Sequence, residues 1–187
     1  MLQGGAIFLV ELADVMNEVT IRQAGKADVG ILSAVGKNTF IETFGHLYDA
    51  GDLEKFLVKN HSIAAYAALL DDDRVLIWIA ESQQGECVGY CVAGPCGLPV
   101  PDMPASSGEL SRLYLAKKFQ KAGVGSALLE HALEFLKRNF SHIYLSVYAE
   151  NYKAQALYRR NGFEKILDYF YMVGDHKDPE WIMELKQ

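Results

Sequence analysis

A glycine-containing segment in the second half of the chain has the composition of an anion-binding turn. It reads Gln120-Lys121-Ala122-Gly123-Val124-Gly125-Ser126. Its glycines let a ligand approach the backbone closely, and a helix that begins there would direct free N–H groups and its positive dipole end at a phosphate. The segment has neither the Gly-Lys-Ser/Thr of a Walker A loop nor the full GxGxxG dinucleotide fingerprint. On spacing alone, a turn that only packs a helix on a strand remains the alternative.

A second polar segment lies downstream and reads Asn151-Tyr152-Lys153-Ala154-Gln155-Ala156-Leu157-Tyr158, followed by Asn161-Gly162-Phe163. Asn151 has the side chain of a helix N-cap, and Gly162 suits the left-handed residue at which a helix ends. The segment therefore predicts a short helix. On spacing alone, Tyr158 near the end of this helix is a core tyrosine on its apolar face.

Taken in this order, the two segments resemble the signature of the GNAT family of N-acetyltransferases. Gln-x-x-Gly-x-Gly after a strand that ends Leu113-Tyr114-Leu115 resembles the pyrophosphate loop of that family. Asn-x-x-Ala-x-x-Leu-Tyr with the later Gly-Phe resembles its second motif, and the match covers residues 109–164. The resemblance implies a single α/β (α+β) domain of GNAT type. That domain has a mixed six- to seven-stranded twisted sheet, helices on both faces, and splayed parallel strands four and five.

The resemblance also implies the acetyl donor, which is acetyl-coenzyme A. The five histidines show no HxxxH or HExxH spacing, so the sequence predicts no metal site. The pyrophosphate of the donor would accept N–H bonds from the glycine segment, and its pantetheine arm would lie between strands four and five as an added strand. Asn151 would form a further hydrogen bond to it, and Tyr158 would protonate the departing thiolate. The residues implied to bind the donor are Leu113, Leu115, Gln120, Lys121, Ala122, Gly123, Val124, Gly125, Ser126, Asn151 and Tyr158.

An amine acceptor must be neutral to attack a thioester. A lysine-like amine costs roughly 4–5 kcal/mol to deprotonate at pH 7, so a general base matters most for alkyl amines. Glu109, which opens the predicted fourth strand, is our candidate, and an ion pair of Glu109 with Arg112 is the alternative. Tyr148, at the end of the fifth strand, could line the acceptor site. We expect the Leu115 N–H to polarise the thioester carbonyl.

The acceptor is less well defined by the sequence. Residues 39–45, the adjacent His46, and the pairs Asp52-Leu53 and Phe56-Leu57 are similar to a bacterial subgroup that includes spermine/spermidine acetyltransferases. This second resemblance implies a polyamine or another small primary amine. The alternatives are the N-terminal or lysine amine of a peptide, and a non-catalytic domain that binds coenzyme A as a sensor.

The hydrophobic pattern predicts the elements that must position these residues. A β-α-β unit with parallel strands and a right-handed crossover joins strand four to strand five. Strands two and three form an antiparallel hairpin. The predicted strands cover 19–23, 75–80, 87–93, 109–115, 143–147, 163–173 and 181–185, with helices within 26–70, over 124–138 and after 151.

The composition of the chain limits its possible partners and its cellular compartment. The 187 residues carry 24 acidic and 18 basic side chains, so there is no basic excess to neutralise the phosphates of nucleic acid. The cysteines, Cys87, Cys91 and Cys96, form no CxxC pair and suit a reducing cytoplasm. No stretch approaches the roughly 20 apolar residues of a membrane span. We expect an N-terminal extension over 1–18 and an acetyltransferase domain over 19–187, with a homodimer left open.

Overall fold

The computed structural model describes residues 19–120 and 123–186. The predicted extension over 1–18, and Lys121 and Ala122 of the glycine segment, lie outside the described residues. The strands are β1 (Val19–Gln23), β2 (Leu76–Ser82), β3 (Cys87–Pro95), β4 (Ser107–Leu115), β5 (His142–Tyr148), β6 (Phe163–Val173) and β7 (His176–Leu185). The helices are α1 (Val29–Phe44), α2 (Ala50–His61), α3 (Ile63–Asp71), α4 (Val124–Asn139) and α5 (Tyr152–Arg160).

One seven-stranded sheet runs through the described structure in the order β1-β2-β3-β4-β5-β7-β6. β4 and β5 are parallel, and every other neighbouring pair is antiparallel. The fold class is therefore confirmed, including the parallel pair that the β-α-β unit requires. β7 begins at His176 rather than at the predicted residue 181, because pairing with β6 extends the strand through a polar stretch that contains Pro179.

Helices cover both faces of the sheet, as predicted. α4 buries an apolar stripe against one face, and its fully buried members are Leu128, Leu129, Ala132 and Leu136. The opposite face packs against α1 and α3 through a second cluster that includes Leu32, Tyr66, Ile77 and Tyr90. Each large apolar side chain buried in this way contributes about 1.5–3 kcal/mol. Both faces of the central strands are thus fixed by packing.

A β-bulge interrupts the pairing of β3 with β4. Val92 pairs with Arg112, but the next residue, Ala93, pairs with Leu110, so Ser111 is the extra residue on β4. A bulge bends its strand and increases the local twist. The bend lies just beyond the last residue at which β4 still pairs with β5.

Candidate active site

The parallel strands β4 and β5 are paired over only three residues each. Their partners are Ser107 with His142, Gly108 with Ile143, and Glu109 with Tyr144. Beyond Glu109, where the Ser111 bulge bends β4, the two strands separate. A cleft of about 1180 Å³ lies at this gap and continues beneath α1 and α2.

The gap is lined by backbone groups of β4 that no neighbouring strand uses. The Ala116 N–H donates to the Val88 carbonyl at 2.9 Å, so the peptide groups of residue 116 face β3. Because these groups alternate along a strand, those of Leu113 and Leu115 face the gap. Gln120 Nε2 donates to the Leu115 carbonyl at 3.3 Å, which places the Gln120 side chain at the wide end of the gap.

The helix N-terminus of α4 faces the same cleft. Gly123 has a φ of 85°, a conformation that glycine adopts without strain, and α4 begins directly after it. The first bond within the helix runs from the Ala127 N–H to the Gly123 carbonyl at 3.0 Å. The N–H groups of Val124, Gly125 and Ser126 therefore precede the intrahelical ladder, and no side chain caps them. The Val124 side chain is buried in the core, so only its backbone can face a ligand.

The helix α5 places Tyr158 beside the gap. Its predicted cap is confirmed, because the Asn151 side chain accepts a bond from the Ala154 N–H at 3.2 Å. Tyr158 is only 7% exposed and packs edge-on against Phe163, yet it lines the cleft. Burial raises the pKa of its hydroxyl well above the ordinary value of 10, with smaller contributions from Cys91 and Glu180. The hydroxyl therefore carries its proton at neutral pH.

Glu109 lies at the closed end of the gap. Its Oε2 accepts the Gly97 N–H at 2.8 Å, and burial raises the pKa of its carboxyl. The alternative ion pair of Glu109 with Arg112 does not form in the described structure. The Arg112 guanidinium instead lies over the Tyr66 ring, 5.1 Å from its centroid.

On the face of the sheet covered by α1 and α2, the cleft widens into a space that we call the aromatic chamber. Tyr148 lies at its edge with its ring 6.0 Å from that of Phe44, and His46 also lines the cleft. Tyr48 donates a hydrogen bond to Asp178 Oδ2, which ties the segment between α1 and α2 to β7. The chamber is formed by Phe40, Phe44, Tyr48, Phe56, Tyr114 and Tyr171.

Two acidic residues of β7 that the sequence analysis did not identify also line the cleft. Asp178 is 4% exposed, and besides its bond from Tyr48 it has His176 Nε2 at 3.2 Å from Oδ1, without the alignment of a hydrogen bond. Glu180 is half-buried, and its Oε2 has no hydrogen-bond partner. Burial raises the pKa of Glu180 from 4.5 to about 7, the negative charges of Asp178 and Glu109 add to the rise, and the Ser146 hydroxyl opposes it. The alternation of β7, read in register with β5, is the signal that could have found them.

The predicted site residues that the structure describes thus come together around one cleft. All of them except Val124, whose side chain is buried in the core, line the cleft. Among residues 19–120 and 123–186, no three His, Cys, Asp or Glu side chains are arranged to hold a metal ion. In the same part of the chain, none of the helices combines the length and the apolar character that crossing a membrane requires.

Comparison with known proteins gives consistent matches. The model of the acetyltransferase (GNAT) family matches residues 41–163. An uncharacterized N-acetyltransferase of Lactobacillus delbrueckii subsp. lactis is 25% identical over 170 residues, which are 90% of this chain and 98% of that protein. An uncharacterized N-acetyltransferase of Archaeoglobus fulgidus is 30% identical over 139 residues, 74% of this chain and 88% of that protein. The crystal structure of the PaiA N-acetyltransferase of Thermoplasma acidophilum in complex with coenzyme A shares the fold at 21% identity, with a TM-score of 0.71 and coverage of 90% of this chain and 99% of that one.

Proposed function

The chain belongs to the acetyltransferase (GNAT) family, which makes it an acyltransferase, and from that premise we propose that it transfers an acetyl group from acetyl-coenzyme A directly to a primary amine. The observation that carries the proposal is the gap between β4 and β5, where the peptide groups of Leu113 and Leu115 have no strand partner. An extended pantetheine arm has the amide groups to complete that unfilled edge.

The wide end of the gap suits the pyrophosphate of acetyl-coenzyme A. The unpaired N–H groups of Val124, Gly125 and Ser126 and the positive end of the α4 dipole would hold the pyrophosphate. Space above Gly125 supports this fit, because a Cβ built at that residue meets no atom within 4 Å. We assign Gln120 and the Asn151 side chain to the edges of the same site. Lys121 and Ala122 complete the set predicted from the sequence.

When bound, acetyl-coenzyme A supplies a thioester carbonyl for attack. The Leu115 N–H would polarise that carbonyl, and Tyr158 Oη would hold the proton that the leaving sulfur takes up. The neutral state of Tyr158 at pH 7 supports its role as an acid. Two carboxyl groups beside the gap, those of Glu109 and Glu180, can accept the proton that the amine loses.

The acceptor that fits the aromatic chamber best is a small cationic amine, such as a polyamine. Aromatic rings attract an ammonium group through their faces, and the acidic side chains that line the same cleft add negative charge. These acidic residues are Glu42, Glu109, Asp178 and Glu180. Arg112, over the Tyr66 ring, contributes a positive charge at the edge of this region.

An amine screen tests the proposal. The protein is incubated with acetyl-coenzyme A and a panel of alkyl monoamines, diamines, polyamines and peptides with free N-terminal or lysine amines. Free thiol release and the mass of the acetylated product are measured. We expect cationic small amines to stimulate thiol release most strongly. Tight binding of coenzyme A without release by any amine would overturn the proposal and identify a binding domain.

A further inference from the structure

Glu180 has a position in the sheet that no other acidic residue of the cleft shares. It lies on β7 directly opposite Tyr148 of β5 and opposite Tyr169 of β6. β5 is the strand that borders the gap, so only one strand separates Glu180 from the place where β4 and β5 have moved apart. The carboxyl therefore faces the aromatic chamber from the β7 side.

The two candidate bases, Glu109 and Glu180, lie at different levels along the gap. Glu109 is level with Tyr144, the last paired residue of β5, whereas Glu180 is level with Tyr148. The step of four residues from Tyr144 to Tyr148 corresponds to about 13 Å along a strand. With allowance for the extra bulge residue, Tyr148 is level with Tyr114 on β4, between the two residues whose peptide groups face the gap. Glu180 is thus beside the open part of the gap and Glu109 at its apex.

The hydrogen bonds of the two carboxyl groups also favour Glu180 over Glu109 as the base. Glu109 Oε2 is occupied by the Gly97 N–H at 2.8 Å, a bond that holds the loop after β3. Glu180 Oε2 is buried without a partner, and a buried acceptor of this kind costs free energy unless something binds to it. A protonated amine in the aromatic chamber would supply the missing donor.

The charges around Glu180 favour proton uptake near neutral pH. Burial is the main cause that raises the pKa of Glu180 to about 7, the Ser146 hydroxyl on β5 opposes the rise, and the negative charges of Asp178 on β7 and Glu109 on β4 add to it. The Arg112 guanidinium on β4 interacts mainly with Tyr90, Tyr66 and Tyr114 and has only a minor effect on the pKa of Glu109. The neighbouring tyrosines all have pKa values above their ordinary value and stay neutral; they are Tyr48, Tyr114, Tyr148, Tyr158, Tyr169 and Tyr171.

We propose that Glu180 is the catalytic base, which removes a proton from the acceptor ammonium before it attacks the thioester; this inference rests on the proposed function. The nitrogen–carbon bond then forms as the carbon–sulfur bond breaks. Tyr158 gives its proton to the sulfur and regains one from the nitrogen. The ammonium has then lost two protons, one held by Glu180 and one by the thiol, and Glu180 releases its proton to solvent after the amide leaves.

The test is the pH dependence of kcat/KM for wild type and Glu180→Gln, measured with the best alkyl amine of the screen. In the wild type, kcat/KM rises with pH through about 7 as Glu180 ionises and then levels off. In Glu180→Gln only the free amine reacts, so kcat/KM is about 10²–10⁴-fold lower at pH 7 and keeps rising toward the pKa of the amine. A fluorinated analogue of the same amine, which is neutral at pH 7, should lose less than about tenfold.

Matched variants exclude a general loss of structure. Glu180→Asp should recover part of the activity with the same form of pH profile, and Glu130→Gln, on the exposed side of α4, should behave as wild type. Coenzyme A affinity should be equal in all four proteins. If the wild type acetylates amines but Glu180→Gln keeps the break near pH 7, the inference is wrong and the proposed function stands. If no amine is acetylated by the wild type, the proposed function itself fails.

Discussion

Tyr148 and Glu180 lie opposite each other in the pairing of β5 with β7, on the face of the sheet that α1 and α2 cover. Directly paired residues of antiparallel strands place their side chains on the same face. Tyr158 approaches the gap from α5, which packs on the other face with the α4 core. The candidate acid and the candidate base therefore approach the gap between β4 and β5 from opposite faces of the sheet, and both line the cleft.

Replacing Tyr158 by Phe should separate catalysis from binding. The ring still packs against Phe163, so the fold and coenzyme A affinity should be retained. Loss of the proton donor should lower kcat about 10²–10⁴-fold. Steady-state kinetics and calorimetric titration with coenzyme A measure the two quantities. Tyr152→Phe, at a 71% exposed position of the same helix, is the matched control, and equal kcat values for the two variants would refute the role of Tyr158.

A negative charge at the start of α4 should prevent pyrophosphate binding. The Cβ of Gly125→Asp meets no atom within 4 Å, and an acidic residue in the first turn of a helix is favourable by about 0.3–1 kcal/mol. Folding stability should therefore be maintained while coenzyme A affinity falls at least about tenfold through charge repulsion. Gly30→Asp is the control, because Gly30 lies at the start of α1 with equally open surroundings. Equal coenzyme A affinity in both variants would rule out this anion site.

Glu180 should make the protein less stable as the pH rises. Its folded pKa of about 7 lies above the ordinary 4.5, so the native state retains a proton that the unfolded state loses between these values. The free energy of unfolding therefore falls as the pH rises from 4.5 to about 7, and Glu180→Gln should not show this decrease. We expect the variant to be about 1–3 kcal/mol more stable than wild type at pH 8 and similar at pH 4. Urea unfolding at the two pH values measures this, and a variant less stable at pH 8 would contradict it.

The hydrogen bond from Tyr48 to Asp178 should stabilise the aromatic chamber. Tyr48→Phe removes the donor from a carboxylate that is 4% exposed, which should destabilise the fold by about 1–3 kcal/mol. Because Tyr48 belongs to the aromatic chamber and not to the gap, KM for the amine should rise more than KM for acetyl-coenzyme A. Thermal unfolding and two-substrate kinetics test this pair of effects. A rise confined to the KM of acetyl-coenzyme A would contradict the assignment of the chamber to the acceptor.

Local sequence determined the half of the site that lies between β4 and α5. The cap at Asn151, the turn at Gly123 and the apolar stripe of α4 depend on residues close in the chain, so their outcome could be predicted. The parallel pairing of β4 with β5 followed from the helix between them.

Long-range pairing determined the other half. Ser111 becomes a bulge only because β3 pairs with β4 in two registers, and no pattern within β4 marks it. Glu180 comes beside Tyr148 only through the pairing of β5 with β7, strands that the chain separates by α5 and β6. A carboxylate in a polar stretch with Pro179 has no local signal of burial, so Glu180 could not be proposed as a base before the register was known.

Because β7 lies between β5 and β6 in the sheet, it also determines the order in which the parts of the candidate site form during synthesis. The segment from β4 to α5, which carries the glycine turn and Tyr158, leaves the ribosome before β7 does. Asp178 and Glu180 join the sheet only when β7 enters the place between two strands already made. A nascent chain would therefore complete the proposed donor surface before Asp178 and Glu180 join the sheet, so the proposed base is the last part of the candidate site to be in place.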